Sequence, residues 1–276
     1  MTNNQMKIEI QLVIKELMDK VLKRVLETDP FLKDKHRAEK PLYAALVPDE
    51  IFKGSHFERR FVTPFGNIWE TLAVVAANQG LGYGQKQYEI IGNMSEERLR
   101  RITEILNRLE HGKIDGKKIK PDWDAELAYV LDDKSEITIP VKVICDVYTR
   151  NTVTGEAYSF EVKAPLPNSD QTKVSKEKLF KLYCMEPRQI TDAYYALPYN
   201  PYGTRENYSW SFPARWFDMK SDKVVLIGDE FWEKIGGSGT YQAFIDALNE
   251  IGSEYKQRIY TEYLGIEIPE DNQWTL

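Results

Sequence analysis

Histidine, cysteine and long apolar runs are what this 276-residue chain has least of. Three histidines leave little material for imidazole-based acid–base catalysis. The two cysteines, Cys145 and Cys184, have neither the spacing of a zinc site nor that of a disulfide framework. They fit a reducing compartment, and each is expected to pack in a core. No P-loop signature is present, and "GLGYGQ" at 80–85 lacks the preceding strand and the acidic residue that a dinucleotide fingerprint needs. Internal repeats and low-complexity segments are absent as well. The first helix candidate places Ile10, Val13, Ile14, Leu17, Val21 and Leu22 at helical spacing among Lys and Glu residues, which makes it amphipathic rather than a signal peptide or a membrane span. A soluble, cytoplasmic protein is the expectation.

What is present is an ordinary globular balance, 42% hydrophobic and 29% charged, in a chain long enough for a sizeable core. The net charge of −6 argues against nucleic acid as a partner, but the charge is unevenly placed. Between residues 163 and 188 stand Lys163, Lys173, Lys176, Lys178, Lys181 and Arg188, against Asp170, Glu177 and Glu186. This segment is basic inside an acidic protein.

Prolines punctuate a loop-rich stretch after the first helix, and a second helix is expected from about residue 67, burying Ile68, Trp69, Leu72, Val75 and Ala76. Another follows Ser95, with Glu96 and Glu97 in its first turn, an apolar side of Leu99, Ile102, Ile105, Leu106 and Leu109, and Gly112 as its stop. From residue 117 the pattern changes to period two, with strands predicted at 125–131, 137–148 and 157–163. A helix at 175–185, an aromatic loop, an apolar strand at 224–228 and a last long helix after "GGSGT" complete the reading. The expected fold is α/β: a mixed central sheet flanked by helices, with an N-terminal helical part over 1–115 packed on a core over 116–276.

The chemistry-bearing stretch is "GEAYSFEVKAPLPN", 155–168. Tyr158, Phe160 and Val162 alternate toward a core, while Glu161 and Lys163 lie side by side on the other face at the strand's end. On the preceding strand the odd residues from Ile137 to Val147 are apolar, and the opposite face ends in Asp146 and Tyr148. The two strands read as a hairpin. A two-residue turn at Thr154-Gly155 sets Val147 opposite Val162, Asp146 opposite Lys163 and Tyr148 opposite Glu161; a longer turn shifts this register by even steps. Asp146, Glu161 and Lys163 then cluster. Two carboxylates held together repel unless a cation joins them, oxygen ligands suit a hard divalent ion such as Mg²⁺, and a neighbouring lysine orients or polarises an attacking water. The structural alternative is a cross-strand salt bridge.

Asp146 followed at fifteen positions by Glu161-Val162-Lys163 resembles the PD-(D/E)xK nuclease motif, and "FEVKAPLPN" resembles its restriction-endonuclease form. "HFERRFVTPFGNIWETLA", "EVKAPLPNSDQTKVSKEKLF", "PYNPYG" and "LIGDEFWEKIGGSGTY" together resemble the TdeIII-like type II restriction endonucleases, from about Pro41 onward. The resemblance implies a homodimer that cuts double-stranded DNA at a short palindrome, using one or two Mg²⁺ ions and leaving 5′-phosphate and 3′-hydroxyl ends, with a DNA methyltransferase as functional partner. It implies Asp146 and Glu161 as metal ligands, the Val162 carbonyl as a further one, and Lys163 acting on the water. Glu70, in Gly66-x-x-x-Glu70, resembles the helical glutamate that many such enzymes aim at the metal. The sequence departs from the motif at Cys145, where a proline is usual. A literal Pro-Asp stands at Pro121-Asp122, so Asp122 or Asp124 rivals Asp146 for the first acidic position; spacing and hairpin face favour Asp146.

DNA contacts are expected from Lys173, Lys176, Lys178 and Arg188 beyond the catalytic strand, and from Asn200, Arg205, Asn207 and Arg215 in the aromatic segment 196–217. His56, Arg59 and Arg60 form a weaker basic group. Two other classes stay open: a non-catalytic DNA-binding module, which needs no clustered carboxylates, and a carbohydrate-active hydrolase, which needs no lysine beside Glu161.

Overall fold

A computed structural model describes residues 3–269. In chain order its elements are α1 (Asn3–Lys23), α2 (Lys33–Glu39), α3 (Pro41–Ala44), α4 (Asp49–Gly80), β1 (Gly82–Ser95), α5 (Glu96–His111), β2 (Lys113–Ile114), β3 (Lys117–Lys118) and α6 (Trp123–Leu131). There follow β4 (Thr138–Asn151), β5 (Ala157–Val162), α7 (Ser169–Cys184), β6 (Asp192–Leu197), β7 (Val225–Ile227), α8 (Asp229–Gly236) and α9 (Thr240–Arg258). Residues 3–72 with 242–269 form one compact unit and 73–241 the other.

The first unit is helical. Ile10, Ile14, Val21 and Leu22 of α1 are buried, with Val13 and Leu17 half-buried at the margin of the stripe. Tyr255 of α9 donates its hydroxyl to Asp19 of α1 at 2.7 Å. Helix α4 begins at Asp49, well before the expected residue 67, and Pro64 lies inside it. The overlooked signal is aromatic: Phe57, Phe61, Phe65 and Trp69 recur every fourth residue, and successive ring centroids lie 6.2, 5.0 and 5.2 Å apart along one face.

The second unit is built on a five-stranded mixed sheet of order β1-β4-β5-β6-β7. β4 pairs antiparallel with both β1 and β5, while β5, β6 and β7 run parallel. The division of the described residues therefore does not fall at 115/116: β1 and α5 belong with the sheet. Helix α5 forms as its signals require, with Ser95 Oγ accepting from the Arg98 amide and with Ile102, Ile105, Leu106 and Leu109 buried. The strand expected at 125–131 is instead α6. Asp122 caps it by accepting from the Ala125 amide at 3.1 Å, and Trp123, Glu126 and Val130 are buried at helical rather than alternate spacing. Two strands of the five-stranded sheet have no clear signal in the sequence. β1 is a polar edge strand, and β6 lies inside the segment expected to be an aromatic loop. Where α4 ends, Gly80 approaches Gly236 so closely that a Cβ would stand 2.5 Å from its backbone, so only glycine fits.

The β4–β5 connection is longer than the two residues first expected. Asn151 Oδ1 accepts from the amides of Val153 and Thr154, Gly155 takes φ +79°, and the Asn151 amide donates to the Glu156 carbonyl across four intervening residues. The register moves by two, pairing Val147 with Phe160 and Tyr148 with Ser159. Parity is kept, as the core demands. Alternation along β4 nevertheless breaks once. Cys145 and Tyr148, three residues apart, pack against the same core cluster. The break falls at Asp146, where the neighbouring pairs Lys86–Val147 and Tyr88–Cys145 stay in register around Gln87 at φ +51°.

Helix α7 crosses from β5 back to β6, starting at Ser169 rather than near 175, because Asn168 Oδ1 accepts from the Gln171 amide at 2.8 Å. Asn168→Ala removes this cap and is expected to lower stability by about 1 kcal/mol, or roughly 2–4 °C in Tm, read by thermal unfolding followed by circular dichroism.

Candidate active site

Continued by one residue, the observed β4–β5 register sets Asp146 across from Glu161. The parallel pairing of β5 with β6 fixes the other side, with Glu161 beside Tyr195 and the Lys163 amide donating to the Ala196 carbonyl at 3.0 Å. Asp146 Oδ2 accepts from the Val162 amide at 3.1 Å and forms a close ion pair with Lys163. Lys163 Nζ also stands 3.5 Å from Glu161. Asp146, Glu161 and Lys163 are thus brought together, although the register that does so is not the one a two-residue turn gives.

A fourth group completes the cluster. Lys178, reaching in from α7, donates to both oxygens of Glu161 at 2.9 and 3.0 Å and lies 3.5 Å from Asp146 Oδ1. Two carboxylates face two ammonium groups. Glu161 has no exposed surface, and burial, with the Asp146 charge beside it, pushes its carboxyl up to about 7 against the pull of both lysines. For Lys178, burial works against the charged form, but Glu161 and Asp146 outweigh it and hold the ammonium above the ordinary lysine value. Lys178 was expected to contact DNA, and its place among the carboxylates was not foreseen. The only available signal was that a crossover helix packs back over the strand it follows.

The rival acidic residue has another task, since Asp122 is the cap of α6. Glu70 lies half-buried on α4 in the first unit. Cys145 and Cys184 are free, buried and pushed up to about 12 by that burial, as core thiols are.

The expected DNA contacts divide. Lys176 must be struck from them. It is 0% exposed and ion-paired at 2.5 Å with Glu126, itself only 2% exposed, and it donates to the Trp216 carbonyl. Arg205 is likewise committed inside the fold, to the Met219 and Asp222 carbonyls and to Glu230. Lys173 pairs with Glu110, and Arg215 donates to the Glu110 carbonyl at 3.0 Å. Arg188 donates to the Ile190 and Thr191 carbonyls. Asn200 closes its own turn through Thr204 and Tyr202, whereas Asn207 is exposed.

Among the described residues no group of three or more His, Cys, Asp or Glu side chains converges as a self-sufficient metal site, and no helix is long and apolar enough to cross a membrane. Set against known proteins, residues 6–252 match the family model described as type II restriction endonuclease, HinfI. The chain is 27% identical over 229 residues to the type II restriction enzyme HgiCII of Herpetosiphon aurantiacus, covering 82% of each chain. It is 25% identical over 217 residues, 77% of each chain, to HgiBI of the same organism, and equally to HgiEI. The matching description is HinfI rather than the TdeIII-like one that the motifs suggested. With its family model spanning nearly the whole length, this chain belongs to the HinfI family of type II restriction endonucleases and is a site-specific deoxyribonuclease.

Proposed function

We infer that Asp146, Glu161 and Lys163 are the catalytic set of a PD-(D/E)xK nuclease, which hydrolyses phosphodiester bonds of double-stranded DNA at a short palindromic sequence in a Mg²⁺-dependent reaction. The observation that carries this reading is the convergence of two carboxylates from adjacent strands on the lysine that ends the second of them. A carbohydrate-active hydrolase fits poorly, because its acid and its base or nucleophile would both be tied to ammonium groups. A module that only bound DNA would gain nothing from carboxylates that repel phosphate.

The donor set suits the metal. Asp146 and Glu161 offer hard oxygen ligands, and Mg²⁺ is usually held by one or two carboxylates with phosphate and water completing the shell. The raised Glu161 carboxyl reports a buried, like-charged pair that a cation would relieve. Asp146, Glu161 and the Val162 carbonyl would hold one or two ions. Bound there, Mg²⁺ supplies charge stabilisation to the phosphoryl and leaving oxygens. Lys163 orients the water that attacks phosphorus and offsets the charge developing there, and the bond to the 3′ oxygen breaks, leaving 5′-phosphate and 3′-hydroxyl ends. Lys173, Arg188, Asn200, Asn207 and Arg215 remain the candidates for phosphate and base contacts. A homodimer matches a palindrome by its own two-fold symmetry, and a methyltransferase protecting the same sequence is the expected partner in the cytoplasm.

Purified protein is expected to cut plasmid DNA into discrete fragments with Mg²⁺ and not with EDTA. Lys163→Ala should lose about 10²–10³-fold in rate while retaining DNA binding in a gel-shift assay; uniform degradation, or undiminished cutting by the variant, would refute the assignment. A second expectation follows from Glu161. Its native carboxyl binds a proton more tightly than the unfolded one, so from about pH 4.5 to 7 the native state holds more protons and stability falls as pH rises. In EDTA this loss should show as a fall in Tm across that window, and Tm against pH should flatten in Glu161→Gln.

A further inference from the structure

We propose that Lys178 is an internal cation of the carboxylate pair: in the metal-free enzyme its ammonium holds Glu161 and Asp146 together, and it gives up that place when a divalent ion binds. The inference rests on the reading of Asp146 and Glu161 as ligands of that ion, and it makes Lys178 a positioning residue.

Each oxygen of the pair is already served by an ammonium group. Lys178 Nζ engages both oxygens of Glu161, at 2.9 and 3.0 Å, and is the ammonium beside Asp146 Oδ1. Lys163 takes Asp146 Oδ2, together with the Val162 amide. Both lysines reach both carboxylates, but only Lys178 makes a full pair of bonds to the more deeply buried one, where Lys163 stands 3.5 Å away. A carboxylate-bound Mg²⁺ lies about 2.1 Å from its oxygen. With an ammonium 2.9 Å from the same oxygen, the two cations would be at most about 5 Å apart. Like charges at that distance, in a site where Glu161 has no contact with water, oppose one another strongly.

Of the two lysines, Lys178 is the more exposed, at 26% against 19% for Lys163. Glu161 is held in a strand paired on both sides, and its side chain is 0% exposed. Lys178 is 26% exposed and carries a flexible four-carbon stem, so its ammonium can turn outward toward solvent, or toward a DNA phosphate, while the helix stays in place. Lys163 sits in the motif position and stays with the reacting centre.

The test measures Mg²⁺ binding calorimetrically on full-length protein without DNA, and thermal unfolding in EDTA and in Mg²⁺, for wild type, K178M and K178R. K178M is expected to unfold at lower temperature in EDTA, to recover more than wild type on adding Mg²⁺, and to bind Mg²⁺ about tenfold more tightly because a competing charge is gone. K178R should remain near wild type in all three readouts. Mg²⁺ affinity in K178M equal to or weaker than wild type overturns the proposal. So does a K178M protein that stays unfolded in both buffers, since a merely structural lysine behaves that way. Wild type that binds no Mg²⁺ at all would sink the metal-site reading beneath it, whereas intact wild-type binding with no gain in K178M would sink the lysine inference alone.

Discussion

The centre of this protein depends on repulsion held in check. Asp146 and Glu161 come from neighbouring strands, and Glu161 has no contact with solvent. Left alone, such a pair would drive one carboxyl to keep its proton. Two lysines from different elements offset it, one at the end of the strand and one on the crossover helix. Removing one member of a buried ion group typically costs about 3–5 kcal/mol, because the partner is left uncompensated. The sheet pairing therefore fixes where the two carboxylates stand, and the lysines make that placement tolerable.

The basic segment after the motif is less a surface than a set of separate assignments. Lys173 meets Glu110, Lys176 meets Glu126 within the core, Lys178 meets Glu161, and Lys181 meets Glu177 one turn away. Charge counted along the chain reads this as a positive patch. Counted in space, each of these four charges has a carboxylate beside it.

How much of this was legible in the sequence depended on the kind of signal. Period-two alternation around Phe160 and the E-x-K triplet located the hairpin and its three polar residues, since strand geometry alone puts Glu161 and Lys163 on one face. Parity came out right because burial enforces it, while register came out two positions off because Asn151, in bonding to two amides of its own loop, builds a longer turn than Thr154-Gly155 suggests. The slip in alternation at Asp146 had no counterpart in residue type. β6 was unreadable for a different reason: buried on both faces, it shows no alternation at all. In α6, Leu127, Tyr129 and Leu131 alternate as strand residues do, but the capping Asp122 after Pro121 is the signal that outweighs them. Lys178 belongs to the class of residues that only tertiary structure can place.

Lys176 and Lys178 are two residues apart on α7, about 200° around the helix, and each is tied to a carboxylate on a different side. The helix is thereby pinned against rolling about its own axis, since any rotation that eased one pair would strain the other. Change at the carboxylates is left to the torsions of a single side chain. Rotamer motion of that kind belongs to the picosecond-to-nanosecond range, far faster than rigid-body rearrangement of a domain.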